Sequence, residues 1–279
     1  MTDTVSLLPA PFEDRYEILK QLWLDGPHGG WLTFDRILGR EVVLNIPYRP
    51  DDNRRFIAAA QLRARLRHTN LIPLFDFGVT PEGKPFFTEP HLPILFLDEF
   101  LTDGSNHTLW KLARLYLQVC EAVRFIHASD LLHLNLTPRK VLVVQPFEEV
   151  FLVRGHPSLP AAVMPSENNY LVGVAAGTPG YMASEQLEPN RYGPATGQTD
   201  VYGLGGILYF ILYGKAPTTS KGTPLPGRLQ FTDRLSRRLA RKLQPICLRA
   251  LDSDRKRRQA TVVELTDELI GALTSANRL

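Results

Sequence analysis

An α+β chain of two lobes is predicted: a small, mainly antiparallel β lobe with one helix, then a larger, mainly α-helical lobe. Strand-like runs interrupted by a single helical run fill the early part of the chain. From Leu109 onward the apolar spacing changes to three and four residues, which is the period of a helix. Strands first and helices after is the order of a chain whose two kinds of layer are segregated. Residues 1–13 read as a flexible lead-in, 14–90 as the β-rich lobe and 91–279 as the helical lobe.

Taken in order, YEILKQLWL, GGWLTF and REVVLNIPY predict three strands, the last two joined by a turn at DRILGR. DDNRRFIAAAQLRARLRH opens with acids and Asn53 and continues with Ala, Leu and Arg, which predicts a capped helix. NLIPLFDFGV and KPFFTEPHL predict two further strands around a TPEG turn. HLPILFLDEFLTDGSNHT reads as an apolar connector, a cover for a ligand cleft or a partner surface. Leu109, Leu112, Tyr116, Val119, Val123 and Ile126 form one helical stripe, VYGLGGILYFILYG is a buried helix too short to span a membrane, and TVVELTDELIGALT closes a helical final third.

The 279 residues suffice for two lobes with cores of their own, and the formal charge of +3 by itself implies no polyanion partner. Cys120 and Cys247 lie on helical segments and predict buried thiols in a reducing, cytoplasmic setting rather than a disulfide. The acidic, proline-containing start does not resemble a signal peptide. RLSRRLARKL places Arg234, Arg237, Arg238, Arg241 and Lys242 at helical spacing beside Leu235, Leu239 and Leu243. Such a run is usually a solvated face, and otherwise a surface for an acidic partner or nucleic acid, the latter not favoured here.

The order of elements together with REVVLNIP, RHTNLIPLFDFG, HLNLTPRKVLV, GTPGYMASEQ, TDVYGLG and LDSDRKRRQAT resembles the bacterial type of Ser/Thr protein kinase domain, from about Tyr16 to Thr274. The resemblance implies a two-lobed kinase-like fold whose chemistry is positioning plus charge. It also assigns positions. The phosphate-binding lysine falls on Asn45 and its carboxylate partner on Ala59. In the catalytic loop, arginine becomes Leu134, the base Asn135, the following lysine Thr137, and the metal-binding asparagine Lys140. The second metal ligand falls on Arg154, within Arg154-Gly155-His156, and the phosphate-covering glycines fall out of register in DGPHGG, which reads as a hairpin turn. His133, Glu185, Asp200 and Arg258 match architectural positions: Glu185 is expected to pair with Arg258, Asp200 to hold the catalytic-loop backbone, and His133 to pack under it.

Groups that act as a unit are thus replaced together. The expectation is a pseudokinase, not an enzyme, with no cofactor and no metal, serving as a scaffold or allosteric regulator for a protein partner such as an active kinase or signalling protein. The alternative is a divergent nucleotide-binding phosphotransferase in which Arg154 and Lys140 contact phosphates directly. Thr178 and Tyr181 in GTPGYMAS are expected to act structurally rather than as modification sites.

Overall fold

The computed structural model describes residues 14–23, 28–103, 107–144, 149–152, 178–217 and 227–277. These fall into two compact units: one takes the chain up to His68 and Ile72–Pro93, the other Thr69–Leu71 and the chain from Ile94 onward. The lead-in at 1–13 lies outside the described residues, as do Asp25 and Gly26 of DGPHGG and the triplet at Arg154.

The first unit is an antiparallel sheet built from β1 (Tyr16–Trp23), β2 (His28–Asp35), β3 (Arg40–Pro47), β4 (Asp76–Val79) and β5 (Pro85–Pro90), in the order β1-β2-β3-β5-β4, with one helix, α1 (Asn53–Arg65). The β2–β3 turn forms because Asp35 Oδ1 accepts the backbone N–H groups of Ile37 and Leu38 at 3.1 and 3.2 Å, and Gly39 supplies the positive φ of 61° that closes it. Tyr16, Trp31, Val42, Leu44, Ile46 and Phe86 make its core. A second cluster, Phe56 and Ala60 of α1 with Phe87 of β5, seats the helix on the sheet.

Two expected elements differ. The strand foreseen over NLIPLFDFGV is confined to β4, because Pro73 lacks a ladder donor and biases its neighbour. Upstream, Leu71 makes only an isolated bridge to Leu152, and Asn70 spends its side-chain amide on Gln118 Oε1 and the Val150 carbonyl. The apolar connector is not a loop: Ile94–Phe96 forms β6 and Leu97–Thr102 a short helix, α2, whose Leu97 and Phe100 are buried.

In the second unit β6 pairs with β7 (Val141–Val144), which pairs with β8 (Glu149–Leu152). The helices are α3 (Leu109–His127), the single turns α4 (Ser184–Leu187) and α5 (Pro189–Tyr192), α6 (Gly197–Tyr213), α7 (Arg234–Ala250) and α8 (Val262–Asn277). The α3 stripe foreseen from Leu109 to Ile126 is buried throughout. Helix α6 is buried on every side. It tolerates this because glycines replace side chains where neighbours crowd in: a Cβ at Gly203, Gly205 or Gly206 would stand 2.8 Å from Leu136, Ala250 or Tyr181. Cys120 and Cys247 are buried and unbridged. The architecture is the α+β one the sequence predicts. Among the described residues no helix is long and apolar enough to cross a membrane.

Candidate functional site

The catalytic-loop frame belongs to the second unit and hangs on Asp200. This carboxylate, in the first turn of α6 and 1% exposed, accepts the backbone N–H groups of His133 and Leu134 at 2.7 Å each. His127 Nε2 stands 2.8 Å from the same carboxylate, so the imidazole must turn an N–H toward it. Leu134 has φ 62°, a left-handed conformation that costs about 1–3 kcal/mol for a residue with a side chain. It is held there at both ends, since its carbonyl also accepts Gln186 Nε2 at 2.7 Å. Asn135 follows. Its N–H points to His133 Nδ1 at 3.3 Å, and its Oδ1 accepts the Thr178 hydroxyl at 3.0 Å. Thr137 is buried, and Pro138–Lys140 forms a single 3₁₀ turn that presents Arg139 to solvent and leaves Lys140 half-buried.

Beneath this frame Arg258 donates to both oxygens of Glu185, at 2.7 and 3.1 Å, with both side chains removed from solvent. The remaining valences are filled: Thr199 Oγ1 donates to Glu185 at 2.8 Å, and Arg258 reaches the carbonyls of Asp252 and Gln198 at 2.7 and 3.0 Å. Burial pushes the Glu185 carboxyl up, but the Arg258 guanidinium outweighs it and holds the group below its ordinary value of 4.5.

In the first unit Asn45 is 1% exposed on β3, between Gly30 and Phe87, and its amide donates to the carbonyl of Val43 two residues back at 3.5 Å. Ala59 lies half-buried on α1. One turn further along the same helix, Arg63 makes an ion pair at 2.5 Å with Glu89 of β5 and lies 4.7 Å from the centroid of the Phe87 ring. A helix-to-sheet ion pair therefore exists with its polarity reversed, cation on the helix and carboxylate on the sheet. The sequence reading missed it and took the helix to carry no such tie. Gly29 and Gly30 of the DGPHGG stretch are committed to aromatic neighbours: a Cβ at Gly30 would meet the Trp23 indole at 2.2 Å, and one at Gly29 the Trp31 ring at 2.4 Å.

The described donors do not fit a divalent cation. The Asn135 amide oxygen is taken by Thr178 and the Lys140 position carries an ammonium. Among the described residues no three His, Cys, Asp or Glu side chains group as a metal site would require. Arg154 lies outside the described residues.

This frame can be set against known proteins. The model of the protein kinase domain family matches residues 47–265. The chain belongs to the protein kinase domain family. It is 32% identical over 212 residues to the DNA damage-responsive serine/threonine-protein kinase RqkA of Deinococcus radiodurans, an alignment covering 73% of this chain and 30% of that protein. The serine/threonine-protein kinase PknD of Chlamydia felis is 27% identical over 91% of this chain and 30% of its own length. Among solved structures, the PknI kinase domain of Mycobacterium tuberculosis aligns with a TM-score of 0.66 at 17% identity, covering 92% of this kinase-family chain and 96% of that one, which shows the shared fold. The chain spans about a third of the length of these curated relatives.

These relatives correct the expectation that the chain is not an enzyme. They carry the names of serine/threonine-protein kinases, and the match is to the kinase domain itself. Reading loss of activity from Asn45, Ala59, Leu134, Asn135, Thr137, Lys140 and Arg154 as a unit replaced together requires the charge to sit at the family's own positions, whereas phosphoryl transfer depends first on positioning, and groups at other positions can supply charge.

Proposed function

We propose that this kinase-family domain works by engaging a protein, as a scaffold or allosteric regulator within a kinase system, with its catalytic-loop frame as the organising element of the large unit. The observation that carries this reading is the bond from the Thr178 hydroxyl to Asn135 Oδ1 at 3.0 Å. It links the catalytic loop to the 178–187 segment through a neutral amide, while Asp200 and Gln186 keep the loop in its strained form. A frame maintained at the cost of backbone strain, around an amide that cannot take up a hydroxyl proton as a carboxylate does, supports a positioning role.

A second reading is favoured by the named relatives: phosphoryl transfer by a divergent constellation, with Lys140 and Arg154 on the phosphates in place of the family's metal set. One experiment separates the two. Thermal unfolding is followed with millimolar ATP, with and without Mg²⁺, alongside transfer to a generic protein substrate. Ligand at about a hundredfold its dissociation constant stabilises by roughly 2.7 kcal/mol, several degrees of midpoint for a domain of this size. The first reading expects no Mg²⁺-dependent shift of the midpoint. A Mg²⁺-independent shift lost on Lys140→Ala and Arg154→Ala supports the second. Transfer that requires Mg²⁺ and is abolished by Asn135→Ala overturns the scaffold reading and the residue assignments with it.

A further inference from the structure

We propose that the solvent face of α7 is a docking surface for an acidic segment of a partner protein. Leu239, Leu243 and Cys247 bury one side of this helix. The opposite side carries Arg234, Arg237, Arg238, Arg241 and Lys242, none of which has a carboxylate partner among the described residues. Among the described residues, cations without a carboxylate beside them occur elsewhere, Arg54 and Arg65 of α1 among them, but here five share one face within nine residues. Arg249, at the far end of the same helix, is held by Glu264 and Glu268 of α8, and surface arginines such as Arg36, Arg124, Arg139 and Arg191 each have an acid beside them.

A second observation concerns where the cations stand. Arg234, Arg237 and Arg238 occupy the first turns of α7, beside the N-cap Asp233, where unsatisfied N–H groups make the helix end positive. Cations there oppose the dipole. The N-cap Asp233, which accepts the Ser236 N–H at 2.8 Å, offsets part of that cost, while the first turn itself holds no acid.

The chemistry of the occupant follows from the patch. From Arg234 to Lys242 the helix advances about 12 Å, a length matched by roughly four residues of extended chain, so a short run of Asp or Glu can face the whole row. Leu235 stands 63% exposed beside the cations and offers an apolar contact, which a protein segment can use and a phosphate backbone cannot. The helix has no aromatic side chain on which a base would stack. The inference deepens the protein-binding reading above and rests on it only in taking the partner to be a protein.

The test measures fluorescence anisotropy of a short Glu-rich peptide containing leucine, titrated with the whole chain, beside a short DNA duplex as competitor. Arg237→Glu combined with Arg241→Glu is expected to weaken peptide binding about tenfold or more, and raising salt from roughly 50 to 200 mM to weaken it in the unaltered chain. Reversing Arg54 and Arg65, exposed on α1, leaves the affinity within about twofold if the α7 face is the site. The α7 variant is also expected to melt within about a degree or two of the unaltered chain, because Arg237 and Arg241 are both exposed and neither has a carboxylate partner among the described residues to lose, so its lost affinity does not report unfolding. Equal loss in both variants overturns the proposal, as does no peptide binding by the unaltered chain, or a duplex that outcompetes the peptide and depends on the same arginines. None of these outcomes alters the nucleotide experiment, whose Mg²⁺-dependent transfer would sink the scaffold reading while leaving this surface standing.

Discussion

At the scale of single residues, the buried Glu185–Arg258 pair shows how charge holds the large unit together. Removing one partner of such a pair leaves the other charge stranded without solvent, so Arg258→Ala is expected to cost about 3–5 kcal/mol, read from the denaturant midpoint. The pair also fixes the sign of a pH effect. A carboxyl whose folded value lies below its ordinary 4.5 contributes stability that is fully present above that value and fades as pH falls through the lower, folded one. Stability should therefore drop on acidification below about pH 4.5, and Arg258→Met with Glu185→Leu should remove that part of the acid sensitivity; an unchanged acid limb in the double variant would contradict the assignment. Cys120 and Cys247 make a further residue-level case. Burial pushes the Cys120 thiol up to about 12 and the Cys247 thiol higher still, so neither forms a nucleophilic thiolate at neutral pH. A chromogenic disulfide reagent should titrate both only after denaturant is added, and rapid labelling of the native chain would refute their burial.

At the scale of elements, α1 is tied to the sheet by Arg63 and Glu89, with side-chain exposures of 13% and 10%. A charge-assisted hydrogen bond of this kind is worth about 1.5–3 kcal/mol, so Arg63→Ala or Glu89→Ala should each lower stability by that order. In a double-mutant cycle the two losses should fall short of additivity, whereas strict additivity would mean the groups act independently. This tie was not legible in the sequence, because nothing local connects residues 26 apart on a helix and a strand. Other elements were legible for physical reasons. Helix α3 keeps its apolar spacing over five turns, and β2–β3 announces itself through Asp35 and Gly39 at the turn. Strand β6 is only three residues long, too short for alternation to show, so its apolar letters read as a connector. Within the candidate site, His133, Asp200, Glu185 and Arg258 could be placed because motif letters named them: the His133 N–H meets Asp200, and Arg258 meets Glu185. The role of Asn135 depends on a hydroxyl 43 positions away, which no spacing rule reaches.

At the scale of the whole molecule, each unit carries its own core, and the larger is organised around α6. Its covering side chains come from both directions along the chain: Leu136 from the catalytic loop, Tyr181 from the segment before α4, and Ala250 from the end of α7. Substituting Gly205 by valine should unfold the large unit, because Ala250 already stands 2.8 Å from where a Cβ would sit and its backbone carbon 3.3 Å. Loss of the cooperative transition would be the readout; a native-like transition in the variant would show that α7 can yield. The same enclosure matters while the protein is being made. Translation adds about 5–20 residues per second, so roughly 2–9 s separate the emergence of Gly206 from that of Ala250. For that interval the most apolar segment of the chain is on the ribosome without the part of its cover that α7 supplies, and nascent chains stalled between these two positions should be the ones that chaperones hold.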